Sequence, residues 1–342
     1  MTLLTWLLTY LIHSTVLLGL AWLVIRRFRL EPGTADLLWK TALFAGLVTG
    51  TVQSRLAPEA PAIVTLPAAT VARTPAHGTP SLPAPEAPIA GSRAADASTA
   101  ARSTAKSPAS AVSLPLAAVL LWGAVALASA LYYVGRRLIL VGRLADRRPV
   151  ADGPLAATLA ELRITTGYGR RVRLTMARTI SSPVALGLSE ICVPELALSE
   201  LGAEQQRSML AHELAHLARR DSLWLLAASL IERLFFFQPL NRLARRELET
   251  TAEYLSDEWA MRKTGSAVSL AKCLATVAEW IQASPLGVPV AGLAERRSLL
   301  VSRIARLLEG KLPQSPASRR GWAALALLGV AVTIAAAPRV SQ

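Results

Sequence analysis

Two uninterrupted apolar runs constrain this chain more than any other feature. Leu3 to Ile25 covers 23 positions, and His13 is its only ionisable side chain apart from Tyr10. Leu114 to Val134 carries no charged residue at all. About 20 apolar residues cross a bilayer core, so both runs predict membrane-spanning helices. The first run starts without a positive charge and no A-x-A site follows it, which predicts a retained helix rather than a cleaved signal. Leu37 to Val52 and Gly321 to Ala337 are shorter runs and read as two further spans, with a buried core helix as the alternative for each. Lys40, near one end of the former, is placed to snorkel toward headgroups. Composition agrees: 52% of the 342 residues are hydrophobic and 18% charged, against roughly 25% charged in soluble domains.

The net charge of +14 raises nucleic acid or an anionic surface as partner. The positions of the charges favour the membrane. Arg26, Arg27, Arg29 and Lys40 crowd the first short loop, Arg136, Arg137, Arg143, Arg147 and Arg148 follow the third run, and Arg319 and Arg320 precede the fourth. By the positive-inside rule these ends are cytoplasmic, which predicts an outside N-terminus and a cytoplasmic segment from Gly135 to Arg320 in the cell (inner or plasma) membrane. A direct nucleic-acid partner is not expected. The domain reading is therefore 1–53 with spans at about 3–25 and 37–52, a loop at 54–112, a third span at 113–134, a cytoplasmic domain at 135–320, a fourth span at 321–337 and a tail at 338–342. The loop holds 18 Ala and 9 Pro in 59 residues and no aromatic side chain. It cannot bury enough apolar area to offset chain entropy, so disorder outside the membrane is expected. Cys192 and Cys273 lie far apart and give no disulfide framework or CxxC site.

Chemistry concentrates at His212-Glu213-Leu214-Ala215-His216, an H-E-x-x-H sequence that uses two of only four histidines. No Gly or Pro occurs from Ala203 to Ser222, and Gly202 or Ser199 can cap a helix there. Helical spacing stacks His212 and His216 one turn apart on one face, where both rings can reach one Zn²⁺. Glu213 is rotated by about 100° from His212. Its carboxylate then stands beside the metal, placed to take a proton from the attacking water and return it to the leaving amine. The plainer alternative is an amphipathic helix with two satisfied histidines. A third ligand is required, and His13 and His77 lie in or beyond the membrane. Acidic residues at 249–257 are the candidates: Glu253 as ligand with Asp257 orienting a ligand histidine is the economical assignment, and Glu249 is the alternative. Against these stands a solvated face in which the same carboxylates pair with Arg245, Arg246 or Arg262.

His212 to His216, then Arg219-Arg220-Asp221, Phe237-Gln238-Pro239-Leu240 and Glu253-x-x-Ser256-Asp257-Glu258, together resemble the BlaR/MecR family of membrane-embedded zinc metallopeptidases. Ser182 to Gly187 and Ile191 to Pro194 resemble that family's segment ahead of the active helix. The resemblance spans roughly residues 1–310 and reaches the fourth membrane helix, with Ser256 where the family often has Cys. It implies a gluzincin-like fold with Glu253 as third ligand. The expected fold class is a mainly α membrane protein, four transmembrane helices plus a cytoplasmic α+β gluzincin-like metallopeptidase domain. The resemblance also implies that the substrate is a cytoplasmic transcriptional repressor, or the chain itself. A homodimer is compatible with this reading. Sensor members carry an extracellular penicillin-binding domain after the fourth helix. The sequence ends at Gln342, so such a domain is expected to be absent, with sensing through the outer loop, the membrane helices or another protein. A heat-shock-type quality-control protease and a non-catalytic zinc-binding signalling subunit are the competing classes.

Smaller features complete the expectations. Val184–Leu188 and Glu190–Val193 read as strands around a turn, one of them an edge able to pair with a substrate backbone. Cys192 reads as a small buried hydrophobe. Leu223 to Ile231 is too short to span a membrane and is expected to bury against the domain core, with a surface dipping into the bilayer as the alternative. Ala294 to Leu308 reads as an amphipathic helix lying along the inner leaflet or packed on the domain. Tyr254, Tyr168, Asn241 and several arginines are the candidates for oxyanion stabilisation.

Overall fold

The computed structural model describes residues 3–56, 62–65, 114–283, 290–309, 317–336 and 339–341. Its elements run α1 (Leu3–Phe28), α2 (Pro32–Leu56), β1 (Ala62–Thr65), α3 (Leu114–Arg143), β2 (Arg148–Pro149), α4 (Pro154–Thr166), β3 (Arg173–Ala177), β4 (Val184–Leu186), β5 (Glu190–Pro194), α5 (Leu196–Ser199), α6 (Ala203–Arg219), α7 (Asp221–Leu234), α8 (Pro239–Thr264), α9 (Ala267–Ala283), α10 (Val290–Leu308), α11 (Ala317–Ala336) and β6 (Arg339–Ser341). Every apolar run read from the sequence is helical, and each helix is longer than its run. Among the described residues, two helical stretches are long and apolar enough to cross a membrane, Leu3–Phe28 and Leu114–Ile139. Helix α2 is not one of them, and α11 contributes a shorter apolar stretch, Ala324–Ala335. The charged pair Lys40–Asp36, 2.8 Å apart and four residues apart, sits in the first part of α2. The loop expected to be disordered from residue 54 begins instead as helix, since α2 continues to Leu56. Within it, Ala62–Thr65 forms a strand that pairs in parallel with β6. The rest of that loop lies outside the described residues.

Two cores organise the chain. The first is built by α1 and α2 with α7 and the start of α8: Leu7, Tyr10, Leu17, Leu18, Trp39 and Leu43 pack with Ala228, Ile231, Phe235, Ala244 and Leu248. Helices α1 and α2 touch almost backbone to backbone, since a Cβ on Gly46 would stand 3.0 Å from Ser14 Cβ and 3.2 Å from Ser14 Cα. Small residues permit such approaches between helices in lipid. The expectation that Leu223–Ile231 buries against the catalytic-domain core is corrected here. That segment is α7, and its buried residues join the α1/α2 core. The reason is the aromatic contact that follows it: Phe235 and Phe237 pack on Tyr10 with ring centroids 4.1 and 6.5 Å away.

Polar contacts fix this junction. Gln238 caps α8 and Pro239 occupies its first turn, where a missing N–H costs nothing. The Gln238 side-chain amide donates to Ser14 Oγ at 2.7 Å and Thr15 Oγ1 at 2.8 Å on α1. Asn241 Nδ2 donates to Tyr10 Oη at 2.9 Å. Trp122 on α3 donates its indole N–H to the Leu234 carbonyl at 2.7 Å.

The second core belongs to the α+β unit. A four-stranded sheet in the order β2-β3-β5-β4 pairs β3 and β5 in parallel and places β4 antiparallel at one edge. Leu174, Ile191 and Val193 point from the sheet into a cluster with Leu155, Leu159 and Leu162 of α4, Leu210, Leu214 and Leu217 of α6, and Leu270, Leu274 and Trp280 of α9. The strand pair expected at 184–193 is present, with Gly187 at φ 60° in its turn. Cys192 is fully buried beside Leu144 and Ala177, and burial raises its thiol pKa. Helix α10 rests on this core through Leu300, Ile304 and Leu307, which selects the domain-packed arrangement for the described part of that helix.

One ion cluster ties the sheet together. Glu190 is buried and pairs with Arg173 and with Arg147, the latter at 2.9 Å, while Thr175 Oγ1 donates to it at 2.8 Å. Burial opposes its charge, but Arg173, Thr175 and Arg147 outweigh that and hold the carboxyl below its usual range. A depressed folded pKa stabilises above the unfolded value of about 4.3 and is lost as pH falls toward the folded one. Glu190→Gln is expected to cost about 1–3 kcal/mol near neutrality, and the difference from wild type should shrink as pH drops below about 4. Thermal unfolding of the purified protein across pH 3–7 measures both.

Candidate functional site

Helix α6 starts where Gly202 breaks the preceding chain. Gln205 Oε1 accepts the Gly202 N–H at 2.9 Å, satisfying one of the donors a helix start exposes. From there the helix is buried on all sides over seven consecutive residues, Met209 to Ala215, with Leu210, Leu214 and Leu217 in the α+β core. His212 and Glu213 are 7% and 6% exposed. The helix ends because Arg220 takes a left-handed conformation (φ 57°, ψ 36°), which is uncommon for a residue with a side chain. That reversal sends the chain straight into α7. It places Asp221 at the α7 N-terminus, where the helix dipole favours a carboxylate, and 2.9 Å from His216 Nδ1. Arg219 also donates to the same oxygen at 3.2 Å.

Helix α8 packs across α6 and brings Glu253 to the two rings. The Nε2 atoms of His212 and His216 are 3.1 Å apart. Glu253 Oε2 is 3.5 Å from His212 Nε2, and Glu253 Oε1 is 3.7 Å from His216 Nε2. Ligands held at roughly 2.0–2.1 Å around a tetrahedral Zn²⁺ lie about 3.3 Å from one another, and these three separations bracket that value. The ligand atoms of His212, His216 and Glu253 all fall within 4.8 Å of one another. The residues present therefore fit a zinc ion. Glu249, the alternative ligand, stands one helical turn before Glu253 and is paired with Arg245, which also binds Glu232.

The outer contacts are equally ordered. His212 Nδ1 is 2.9 Å from Asp257 Oδ1, so both rings have a carboxylate behind them and turn Nε2 inward. Ser256 Oγ adds a contact of 3.2 Å to His216 Nδ1. Arg303 of α10 reaches in from the far side and forks onto Asp257, with Nε to Oδ2 and Nη2 to Oδ1 both at 2.7 Å. Its Nη1 stands 2.7 Å from Glu253 Oε2. Glu253 keeps 30% side-chain exposure while Asp257 keeps 6%, so the cluster opens to its surroundings on the Glu253 side.

Charge states follow from these neighbours. Burial disfavours the imidazolium of His212, but Asp257 and Glu253 outweigh it and raise the ring's pKa to about 10. Burial likewise opposes ionisation of Asp257, and Arg303 and His212 overcome it and lower the pKa. Asp221 is lowered in the same way by His216 and Arg219. Glu213 differs: burial raises its carboxyl, and the neighbouring rings only partly offset that.

Of the other residues singled out by sequence, His13 is buried between α1 and α2 with Nδ1 3.0 Å from Thr49 Oγ1, away from the cluster. His77 lies outside the described residues. Tyr254 contacts Ser302 Oγ at 3.0 Å and lies under the Arg306 guanidinium, and Asn241 serves the α1 junction. Sequence reasoning assigned no role to Asp221, Ser256 or Arg303. Asp221 stood in the Arg219-Arg220-Asp221 pattern without a reason for its position, because the left-handed Arg220 is invisible in sequence. Arg303 did leave a signal: it falls on the apolar stripe Leu300, Ile304, Leu307, where a charge needs a buried partner.

A comparison with curated proteins finds no match. A family model described as BlaR1 peptidase M56 matches residues 5–304, from the first turn of α1 through Arg303 and Ile304 of α10. With H-E-x-x-H, the two carboxylates of α8 and the apolar stretches of α1, α2 and α3 inside that span, the chain belongs to the BlaR1 peptidase M56 family of membrane-associated metallopeptidases.

Proposed function

We propose that this protein is a membrane-embedded zinc endopeptidase whose active site faces the cytoplasm. The observation that carries the reading is the triangle formed by His212 Nε2, His216 Nε2 and the Glu253 carboxylate, with edges of 3.1, 3.5 and 3.7 Å. Those three residues hold the metal, and three protein ligands leave a fourth position open, as catalytic zinc sites require. Zinc bound there supplies an activated water and a Lewis acid for the scissile carbonyl. Glu213 accepts a proton and returns it to the leaving amine nitrogen. Asp257 and Asp221 orient the two rings and raise their basicity as ligands. Strand β4 is the sheet edge that lies against α6, so a substrate in extended form can add to it by main-chain hydrogen bonds.

The topology proposed is four spans, formed by α1, α2, α3 and α11, with the N-terminus outside and the α+β unit inside. The basic loop after α1 supports it, because that loop and the catalytic helix stand together: Arg219 at the end of α6 is 3.7 Å from Asp36 at the start of α2. The substrate class proposed is a cytoplasmic regulatory protein of the repressor kind, or the chain itself.

Zinc content, peptide cleavage, substrate trapping and thiol labelling test this. Purified wild type should bind about one zinc per chain. His212→Ala should lose both metal and peptide cleavage. Glu213→Gln should keep the metal while cleavage falls by about 10²–10⁴-fold, and zinc retained in the histidine variant would overturn the ligand assignment. Used as a trap in cells, Glu213→Gln should capture one regulator, whereas many unrelated membrane proteins would instead indicate quality control. For orientation, Ile164 is exposed on α4. A Cys placed there by Ile164→Cys should resist a membrane-impermeant thiol reagent in intact cells and react after lysis.

A further inference from the structure

We propose that Arg303 is a positioning residue for the metal site, acting through the third ligand and through the carboxylate behind His212. The inference deepens the zinc reading and rests on it. Arg303 is 8% exposed although it carries a full positive charge. Its guanidinium contacts account for that burial. Nε and Nη2 hold the two oxygens of Asp257 at 2.7 Å each, Nη1 holds Glu253 Oε2 at 2.7 Å, and Nη2 also stands 3.4 Å from His212 Nε2. Only a planar fork can serve two carboxylates at once in this way.

The consequences run along two lines. Asp257 turned by the fork keeps Oδ1 at 2.9 Å from His212 Nδ1, a carboxylate behind the ring that leaves Nε2 facing His216 Nε2 and Glu253. Glu253 is pinned through Oε2, which leaves Oε1 directed at His216 Nε2. Arg303 thus fixes a ring on α6 and a ligand on α8 from a third helix. Two neighbours on α10 hold that helix in place: Ser302 meets Tyr254 Oη at 3.0 Å, and Arg306 donates to Glu258 Oε1 at 3.0 Å. Helix α10 is in this sense a clasp laid along the acidic face of α8.

The test is metal affinity of the full-length protein in detergent, read by competition with a chromophoric chelator, together with the visible spectrum of the Co²⁺-loaded protein. Arg303→Met, which keeps the stem and removes the fork, is expected to weaken zinc binding by about 10–100-fold and to shift the Co²⁺ bands. Arg303→Lys, which keeps the charge but not the fork, should fall between the two. Zinc affinity in Arg303→Met equal to or tighter than wild type overturns the proposal, the latter by making Arg303 a competitor for the site. Should Arg303→Met fail to fold, Arg303→Lys decides alone: a several-fold loss supports the fork, and wild-type affinity with an unchanged Co²⁺ spectrum sinks it. Wild type binding no zinc would instead remove the metal reading itself, and this inference with it.

Discussion

The burial of charge between α6 and α8 governs the rest of the structure. Glu213, Asp221 and Asp257 are each less than a tenth exposed, together with His212 and Arg303. Taking one partner from a buried ion pair costs about 3–5 kcal/mol, and His212, Asp221, Asp257 and Arg303 are each met by an opposite charge. The helices are arranged to do that. Helix α6 breaks at a left-handed arginine so that Asp221 can return to His216, α8 crosses at the height that presents Glu253 and Asp257 together, and α10 delivers Arg303 between them. Such a cluster is a costly way to stabilise a fold. It holds two imidazole nitrogens and a carboxylate at separations that suit metal ligands.

The sheet and the helical bundle divide the labour. The α+β core fixes α6 through its buried leucines, while the apolar helices fix α8 from its other end. Helix α8 therefore has two anchorages, Gln238 and Asn241 at its start on α1 and Glu253 to Glu258 near its finish under α10. Fifteen residues separate Gln238 from Glu253, roughly 22 Å of helix at 1.5 Å per residue. One rigid rod thus joins the apolar bundle to the carboxylate that faces the two imidazoles.

Much of this was legible in sequence because it depends on local periodicity. The four apolar runs are all helical, the H-E-x-x-H spacing is a property of one helix, and Glu253 with Asp257 share a face by the same four-residue rule. What could not be read depends on how separate helices meet. The bend at Arg220 gives no compositional warning, so Asp221 had a place in a pattern but no role. The apolar segment of α7 satisfies a soluble core and a helical bundle equally well by pattern, and only the aromatic contacts of Phe235 and Phe237 with Tyr10 decide for the bundle. Choosing Glu253 over Glu249 needed the direction from which α6 crosses, and Arg245 claims Glu249 from its own helix.

The tie between α1 and the head of α8 has a consequence for biogenesis. Tyr10, Ser14 and Thr15 precede the partners they await, Gln238 and Asn241, by more than two hundred residues. The head of α8 therefore closes onto α1 only across a very long stretch of intervening chain, so this junction depends on α1 staying available until α8 has formed.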